Sequence, residues 1–311
     1  MVSPEDVLRF AVTRFAGRLT GLRPLAAGEW SQAYAGRLEG RAVVIRFGRY
    51  AKDFAKDRIM GELAAGRLPV PRVLDVGPTP WGHYAVSERA RGVMLDDLDE
   101  AAMRAALPRL VDALAALRDV GVPGARGFGL WAPDGAAPHT SWRAFLLSVA
   151  EERERTAGWR VELAQAPDAA RAFERGLRTL ERVAAELPER REIIHADLLN
   201  RNVLVRGPAL GAILDWGNAL YGDCLYDQAW LVFWWPWYPR WRGIDVRRAL
   251  ARERRRAGQE EPDSARRLAC YGLHIGLDAI TYNAFKRRRQ ELTRIARRTA
   301  AIARCLDAGS P

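Results

Sequence analysis

Three polar side chains stand out by type and spacing. Asp197 lies in Ile193-Ile194-His195-Ala196-Asp197, Asn202 follows it by five residues, and Asp215 follows Asp197 by 18, within Ala212-Ile213-Leu214-Asp215-Trp216-Gly217. Apolar runs flank all three, so they fall on turns between short buried strands. A carboxylate can accept or orient the proton of an attacking hydroxyl. An amide oxygen and a second carboxylate can ligate Mg²⁺, which prefers oxygen donors and keeps several waters, so phosphate oxygens complete its shell. Together these groups suit phosphoryl transfer, which depends mainly on positioning and on neutralising charge. His195, at a strand end, is expected to brace the loop rather than react. Asp227, in Gly222-Asp223-Cys224-Leu225-Tyr226-Asp227, reads as a buried structural carboxylate at the start of the next helix.

An H-x-D alone is a weak signal; H-x-D, the later Asn and an apolar-flanked D-x-G are together specific. The layout is that of a kinase catalytic loop followed by a metal-binding turn. The chain resembles the aminoglycoside phosphotransferase family, small-molecule relatives of protein kinases, over nearly its whole length. Further segments carry the likeness: Gly28-Glu29-Trp30-Ser31, Val43-Val44-Ile45-Arg46, Lys56-Asp57-Arg58 and Leu68-Pro69-Val70-Pro71. Thr140-Ser141-Trp142-Arg143 and Phe233-Trp234-Trp235-Pro236-Trp237 are the more unusual ones and favour the subgroup acting on hygromycin B.

The resemblance implies a protein-kinase-like α+β fold with two lobes. Residues 1–90 would form an antiparallel-sheet, nucleotide-binding N-lobe, and 91–311 a mainly helical C-lobe carrying the catalytic loop. It implies ATP, with GTP as the alternative, and Mg²⁺. The acceptor would be a hydroxyl of an aminoglycoside or aminocyclitol antibiotic; a macrolide, another antibiotic or a metabolic amine or sugar is the alternative. By position, Asp197 would be the base, Asn202 and Asp215 the metal ligands, and Arg46 the holder of nucleotide phosphates. Gly28 and Ser31 would turn over those phosphates, while Glu88 and Ala90 would offer hinge backbone to adenine. The chain departs from the family pattern in three places. Arg46 stands where most members have Lys, and Arg still holds phosphate oxygens but with a different geometry. Leu199-Asn200-Arg201 replaces a more usual polar or Gly-containing run before Asn202. Cys224 stands where many members have Pro.

At 311 residues with 49% apolar content, the chain fits one two-lobed unit or two closely packed domains. No apolar run is long enough to span a bilayer, and no signal peptide is apparent at the N-terminus. Three cysteines, odd in number and far apart, suggest reduced thiols and a cytoplasmic location. The net charge is +11, and residues 238–311 hold 18 Arg and Lys against 8 Asp and Glu. No nucleic-acid motif accompanies the arginines, so solvated helix faces are the preferred reading over nucleic-acid binding. A polycationic substrate would then require locally acidic groups, for which Glu151, Glu152, Glu260, Glu261 and Asp278 are candidates.

The elements that must position these groups are partly visible. Ser3 as N-cap and Pro4 at the first position open a helix with Val7, Ala11 and Phe15 on one face. Residues 23–49 alternate apolar and polar around Gly36 and Gly40, as three short antiparallel strands would. A helix over 53–66 should offer a carboxylate to Arg46; Glu62 and Asp57 both qualify, and Glu62 is the supporting residue assigned here. Strands near 72–77 and 83–88 follow. Asp96-Asp97-Leu98-Asp99-Glu100 is expected to open a helix, its acids favourable to the helix N-terminus. Residues 121–138 are rich in Gly and Pro and read as a surface loop. Helices are expected over 141–157, 168–187, 224–235, 244–257, 262–285 and 290–306. Six aromatics crowd nine positions from Phe233 to Trp241, with Trp235 and Trp237 the candidates for substrate contact.

Overall fold

A computed structural model describes residues 3–25, 28 and 31–309. In chain order the regular elements begin with α1 (Pro4–Phe15), β1 (Leu19–Pro24), β2 (Ser31–Leu38), β3 (Arg41–Gly48) and α2 (Ala51–Leu63). Then come β4 (Val73–Thr79), β5 (Gly82–Glu88), β6 (Val93–Met94), α3 (Glu100–Ala116) and β7 (Gly129–Leu130). Three helices, α4 (Trp142–Leu147), α5 (Trp159–Ala164) and α6 (Pro167–Val183), precede β8 (Glu192–Ile194), β9 (Val203–Arg206), β10 (Ala209–Ile213) and β11 (Leu220–Gly222). The chain finishes with α7 (Leu225–Trp234), α8 (Val246–Arg256), α9 (Ser264–Phe285) and α10 (Arg289–Asp307).

Contacts divide the chain into two compact units. The first comprises Met1–Leu98, Ala132–Asp134 and Asn200–Asn218. Its main sheet is antiparallel, in the order β1-β2-β3-β5-β4. Helix α1 forms as its sequence predicts: the Ser3 side chain accepts from Asp6 N–H at 3.1 Å, and Val7, Ala11 and Phe15 are buried. They pack on Tyr34, Val43, Ile45, Phe47, Tyr84 and Val86. Strand alternation then decides where Arg46 goes. Val43, Ile45 and Phe47 point into that core, so Val44 and Arg46 occupy the opposite face. A smaller sheet, β10-β9-β6, belongs to the same unit, and Ile213 N–H donates to Pro69 C=O at 2.8 Å. This pairing brings Asn202 and Asp215 into the first unit, which therefore does not end at residue 90.

The second unit comprises Asp99–Trp131, Gly135–Leu199 and Ala219–Pro311. It is helical around α9, whose residues from Leu268 to Ala284 are mostly buried. Trp142, Trp159, Phe173, Leu180, Phe233, Leu273, Leu277 and Ile280 form much of its core. Gly176 permits the close approach of α6 and α9, since a Cβ there would lie 2.9 Å from Leu277 Cδ2. A three-stranded sheet, β7-β11-β8, has its strand β8 ending at Ile194, immediately before His195 and Asp197. The expected helix over 141–157 stops at Leu147: a 3₁₀ turn takes residues 148–150, and Ser148 Oγ donates to Phe145 C=O at 2.7 Å. Residues 121–138 are likewise not wholly a loop, because Gly129 and Leu130 pair with β11. Many of the arginines are held in ion pairs, some of them sharing one carboxylate. Glu261 meets Arg118, Arg190 and Arg267, and Arg267 also meets the fully buried Asp223. Against burial, which would raise it, Arg190 and Arg267 hold the Glu261 carboxyl down at about 2.

Ile280 is fully buried in α9. Ile280→Ala should lower stability by about 2–5 kcal/mol, read as a fall in the urea midpoint; an unchanged midpoint would contradict its place in the core.

Candidate active site

In the first unit the site grows from β3 and α2. The carboxylate that meets Arg46 is that of Asp57, with which it forms an ion pair, and not that of Glu62, which is exposed. Helical phase explains the correction. Asp57 shares a face with Phe54, Met60 and Gly61, which are all buried, whereas Glu62 lies off that face. The sequence shows no such phase, because the apolar residues of α2 are spread round the helix and its buried face includes Lys56, Asp57 and Gly61. The second oxygen of Asp57 accepts from Trp216 N–H at 2.8 Å, so one buried carboxylate joins β3 to the D-x-G turn. Its neighbour Lys56, only 1% exposed, donates from Nζ to Gly217 C=O at 2.9 Å. Arg46 also lies 4.0 Å from the Asp215 carboxylate and 5.3 Å from the centroid of the Phe54 ring.

Asn202 and Asp215 lie at one end of the β9–β10 hairpin. Val203 pairs with Ile213, and Leu214 N–H donates to Asn202 C=O at 2.7 Å. Asn202 is buried, while the Asp215 side chain is 47% exposed. The backbone is left-handed at Asp215, with φ of 60°, a conformation that costs a non-glycine residue about 1–3 kcal/mol. Just before β2, Gly28 N–H donates to Ser31 C=O at 3.0 Å. Glu29 and Trp30, between them, lie outside the described residues. Glu88 ends β5; its N–H donates to Arg72 C=O at 3.0 Å, and its side chain meets Arg72 at 3.2 Å. Ala90 follows it, half-buried.

In the second unit, β8 delivers His195, Ala196 and Asp197. Asp227, on the first turn of α7, accepts from the N–H groups of His195 and Ala196, both at 2.8 Å. It is the buried structural carboxylate that the sequence suggests, and burial, outweighing those two bonds, pushes its carboxyl up to about 7. His195 is fully buried, and its Nδ1 accepts from Asp197 N–H at 3.2 Å, which leaves the ring proton on Nε2. His195 thus holds the loop from within. Asp197 is half-buried.

The aromatic run is largely structural. Trp235 is buried, lies against Trp241 at 4.8 Å between centroids, and donates to Trp241 C=O at 3.3 Å. It is a core residue, which corrects the expectation of a substrate platform there. Trp237 is half-buried, donates to Glu291 at 2.8 Å, stacks on Phe233, and has the Arg294 guanidinium 4.1 Å from its ring. Of the acidic candidates, Glu261 sits in the arginine cluster, Asp278 pairs with Arg153, and Glu152 accepts from Gly158 N–H.

A conserved-family model described as the phosphotransferase enzyme family matches residues 21–270. The chain belongs to this family. It is therefore a phosphotransferase with a kinase-like fold, an antiparallel-sheet N-terminal region and a helical C-terminal region. It is 32% identical over 288 residues to the hygromycin-B 4-O-kinase of Escherichia coli, covering 90% of this chain and 80% of the relative. Among solved structures it is similar to a thermostable mutant of aminoglycoside phosphotransferase APH(4)-Ia in ternary complex with AMP-PNP and hygromycin B. That likeness has a TM-score of 0.84 and 30% identity, covering 98% of this chain and all of the other. An aminoglycoside 2'-phosphotransferase-IIIa mutant in its GDP complex, at 16% identity and a TM-score of 0.71 over 99% of this chain and 100% of the other, shares the fold. Among the described residues, no helix is long and apolar enough to cross a membrane.

Two outcomes follow from this geometry. Asp57→Asn leaves Arg46 without its counter-charge and should cost about 3–5 kcal/mol of stability, since one partner of a buried pair is then uncompensated; thermal unfolding checks it, and an unshifted Tm would contradict it. Asp227→Asn puts an amide N–H₂ against a loop N–H and should cost about 1–3 kcal/mol while slowing turnover. The pH dependence has a defined sign. The folded Asp227 carboxyl titrates at about 7 against an ordinary 3.8, so the native state holds a proton that the unfolded chain releases. Its contribution is fully present below about pH 4 and is lost as pH rises through about 7; comparing unfolding of the parent and Asp227→Asn across that window isolates it.

Proposed function

We propose that this chain transfers the γ-phosphoryl group of ATP to the 4-hydroxyl of hygromycin B or a closely similar aminocyclitol antibiotic, in the cytoplasm, and thereby confers resistance. The observation that carries this reading is the likeness, over almost the whole chain, to a phosphotransferase holding AMP-PNP and hygromycin B. The similarity to a hygromycin-B 4-O-kinase supports the choice of hydroxyl.

Asp197 accepts the acceptor's hydroxyl proton as the hydroxyl oxygen bonds to the γ-phosphorus and the bond to the ADP oxygen breaks. His195, itself held by the loop that Asp227 secures, orients Asp197 through the Nδ1 bond to its N–H. Asn202 and Asp215 would hold Mg²⁺, which neutralises charge on the phosphate oxygens when bound. Their donors fit it: one amide oxygen and one carboxylate at the same hairpin end, an oxygen-only set. Arg46, fixed by Asp57, is assigned to nucleotide phosphates, and its pairing within the site keeps the guanidinium from swinging away. The Gly28–Ser31 turn and the backbone at Glu88 and Ala90 complete the nucleotide contacts, and Trp237 is assigned to the substrate.

With ATP and Mg²⁺, hygromycin B should gain one phosphate by mass spectrometry, in preference to a panel of other aminoglycosides, macrolides and metabolic amines. Asp197→Asn should lose about 10²–10⁴ in rate with nucleotide binding retained. Phosphorylation of another panel member in its place would overturn the substrate, and near-normal turnover by Asp197→Asn would overturn the base.

A further inference from the structure

Asn200 and Arg201, immediately before Asn202, both have left-handed backbone, with φ of 73° and 66°. Glycine adopts this conformation freely, whereas other residues pay a steric cost that must be met by their surroundings. No glycine stands here: the loop reads Leu198-Leu199-Asn200-Arg201-Asn202. The Asp96 carboxylate meets that cost. The two oxygens of the Asp96 carboxylate accept from the two successive N–H groups, Asn200 N–H at 2.9 Å and Arg201 N–H at 3.0 Å. Two adjacent left-handed residues turn their amides to the same side, and a carboxylate across both makes two charge-assisted bonds. Asp97, the next residue, meets the Arg201 guanidinium at 3.2 Å, but with both side chains about half exposed that pair adds little. Asp96 itself is fixed in a short 3₁₀ turn, Leu95–Asp97, beside β9. Helix α3 does not need it as a cap, because Asp99 does that work by accepting from Ala102 N–H at 2.8 Å.

We propose that Asp96 is a positioning residue for the metal ligand Asn202: it takes the place of loop glycines by holding Asn200 and Arg201 left-handed, and so aims the Asn202 amide. This rests on the reading of Asn202 as a metal ligand. Asp96 touches neither metal nor substrate in this account. Its effect reaches the metal only through the backbone of the two residues it holds.

The distinguishing test uses Mn²⁺ as the probe, titrated by electron paramagnetic resonance in the presence of AMP-PNP. Asp96→Ala should weaken Mn²⁺ binding by about tenfold, in the range expected for loss of a group that orients a ligand. Hydrogen exchange at the Asn200 and Arg201 amides should quicken in the same variant. Adding Asn200→Gly and Arg201→Gly to Asp96→Ala should restore most of the Mn²⁺ affinity, because glycine needs no carboxylate to stay left-handed. A merely structural role for Asp96 would not be rescued in this way. Unchanged Mn²⁺ binding by Asp96→Ala, beside a clear loss in Asn202→Ala, would overturn the proposal and leave the metal reading standing. Unchanged binding by Asn202→Ala would overturn both. Failure of the two glycines to restore affinity would overturn the proposed route through the backbone.

Discussion

The ion pair of Arg46 with Asp57 is the constraint on which the placement of Asp215 depends. One oxygen of Asp57 engages the guanidinium on β3, and the other accepts the Trp216 N–H of the D-x-G turn. Lys56, one residue earlier on the same helix, takes the Gly217 carbonyl. Two adjacent helical residues thus grip the turn that presents Asp215, one through an N–H and one through a C=O. The packing here is close, because a Cβ at Gly217 would lie 3.1 Å from the Asp53 side chain. Burying this much charge is costly unless every group is paired. The sheet core that orients β3 therefore sets the partner of Asp57, since alternation about Ile45 and Phe47 is what sends Arg46 to the helix face.

The functional loops are also where the backbone is least relaxed. Of eight described non-glycine residues with positive φ, four (Ala196, Asn200, Arg201 and Asp215) fall in the two loops to which the chemistry is assigned in the proposed function. Each is stabilised by a carboxylate or amide from a neighbouring element. Asp227 accepts from Ala196, Asp96 accepts from Asn200 and Arg201, and Asp57 accepts from Trp216 beside Asp215. A common device recurs: a buried or half-buried carboxylate accepts loop N–H groups and makes a strained turn rigid. Strain of this kind persists only where the surroundings over-determine it.

Helix α1 and the strand bearing Arg46 were legible in the sequence through capping and alternation, and the fold class through the resemblance carried by the segments around Asp197, Asn202 and Asp215. What was not legible came from tertiary reach. Asp96 looked like part of a helix start because four acids lie within five residues, and only the paired hairpin shows that it serves a loop about a hundred residues away. Trp235 looked like a sugar platform because aromatic clusters suit both sugars and cores, and composition cannot separate them. The expected boundary at residue 90 missed that β9 pairs with β6, a non-local contact that no local pattern encodes. The choice between Glu62 and Asp57 was no different, since the apolar residues of α2 do not mark one face and the partner of Arg46 is set by tertiary packing.

The most direct measurement is a crystal structure with AMP-PNP, Mg²⁺ and hygromycin B bound. The account predicts an Asp197 carboxylate oxygen about 2.6–3.2 Å from one acceptor hydroxyl, with Mg²⁺ on the Asn202 amide oxygen and the Asp215 carboxylate. An acceptor hydroxyl held by some other base, or a metal that touches neither Asn202 nor Asp215, would contradict it.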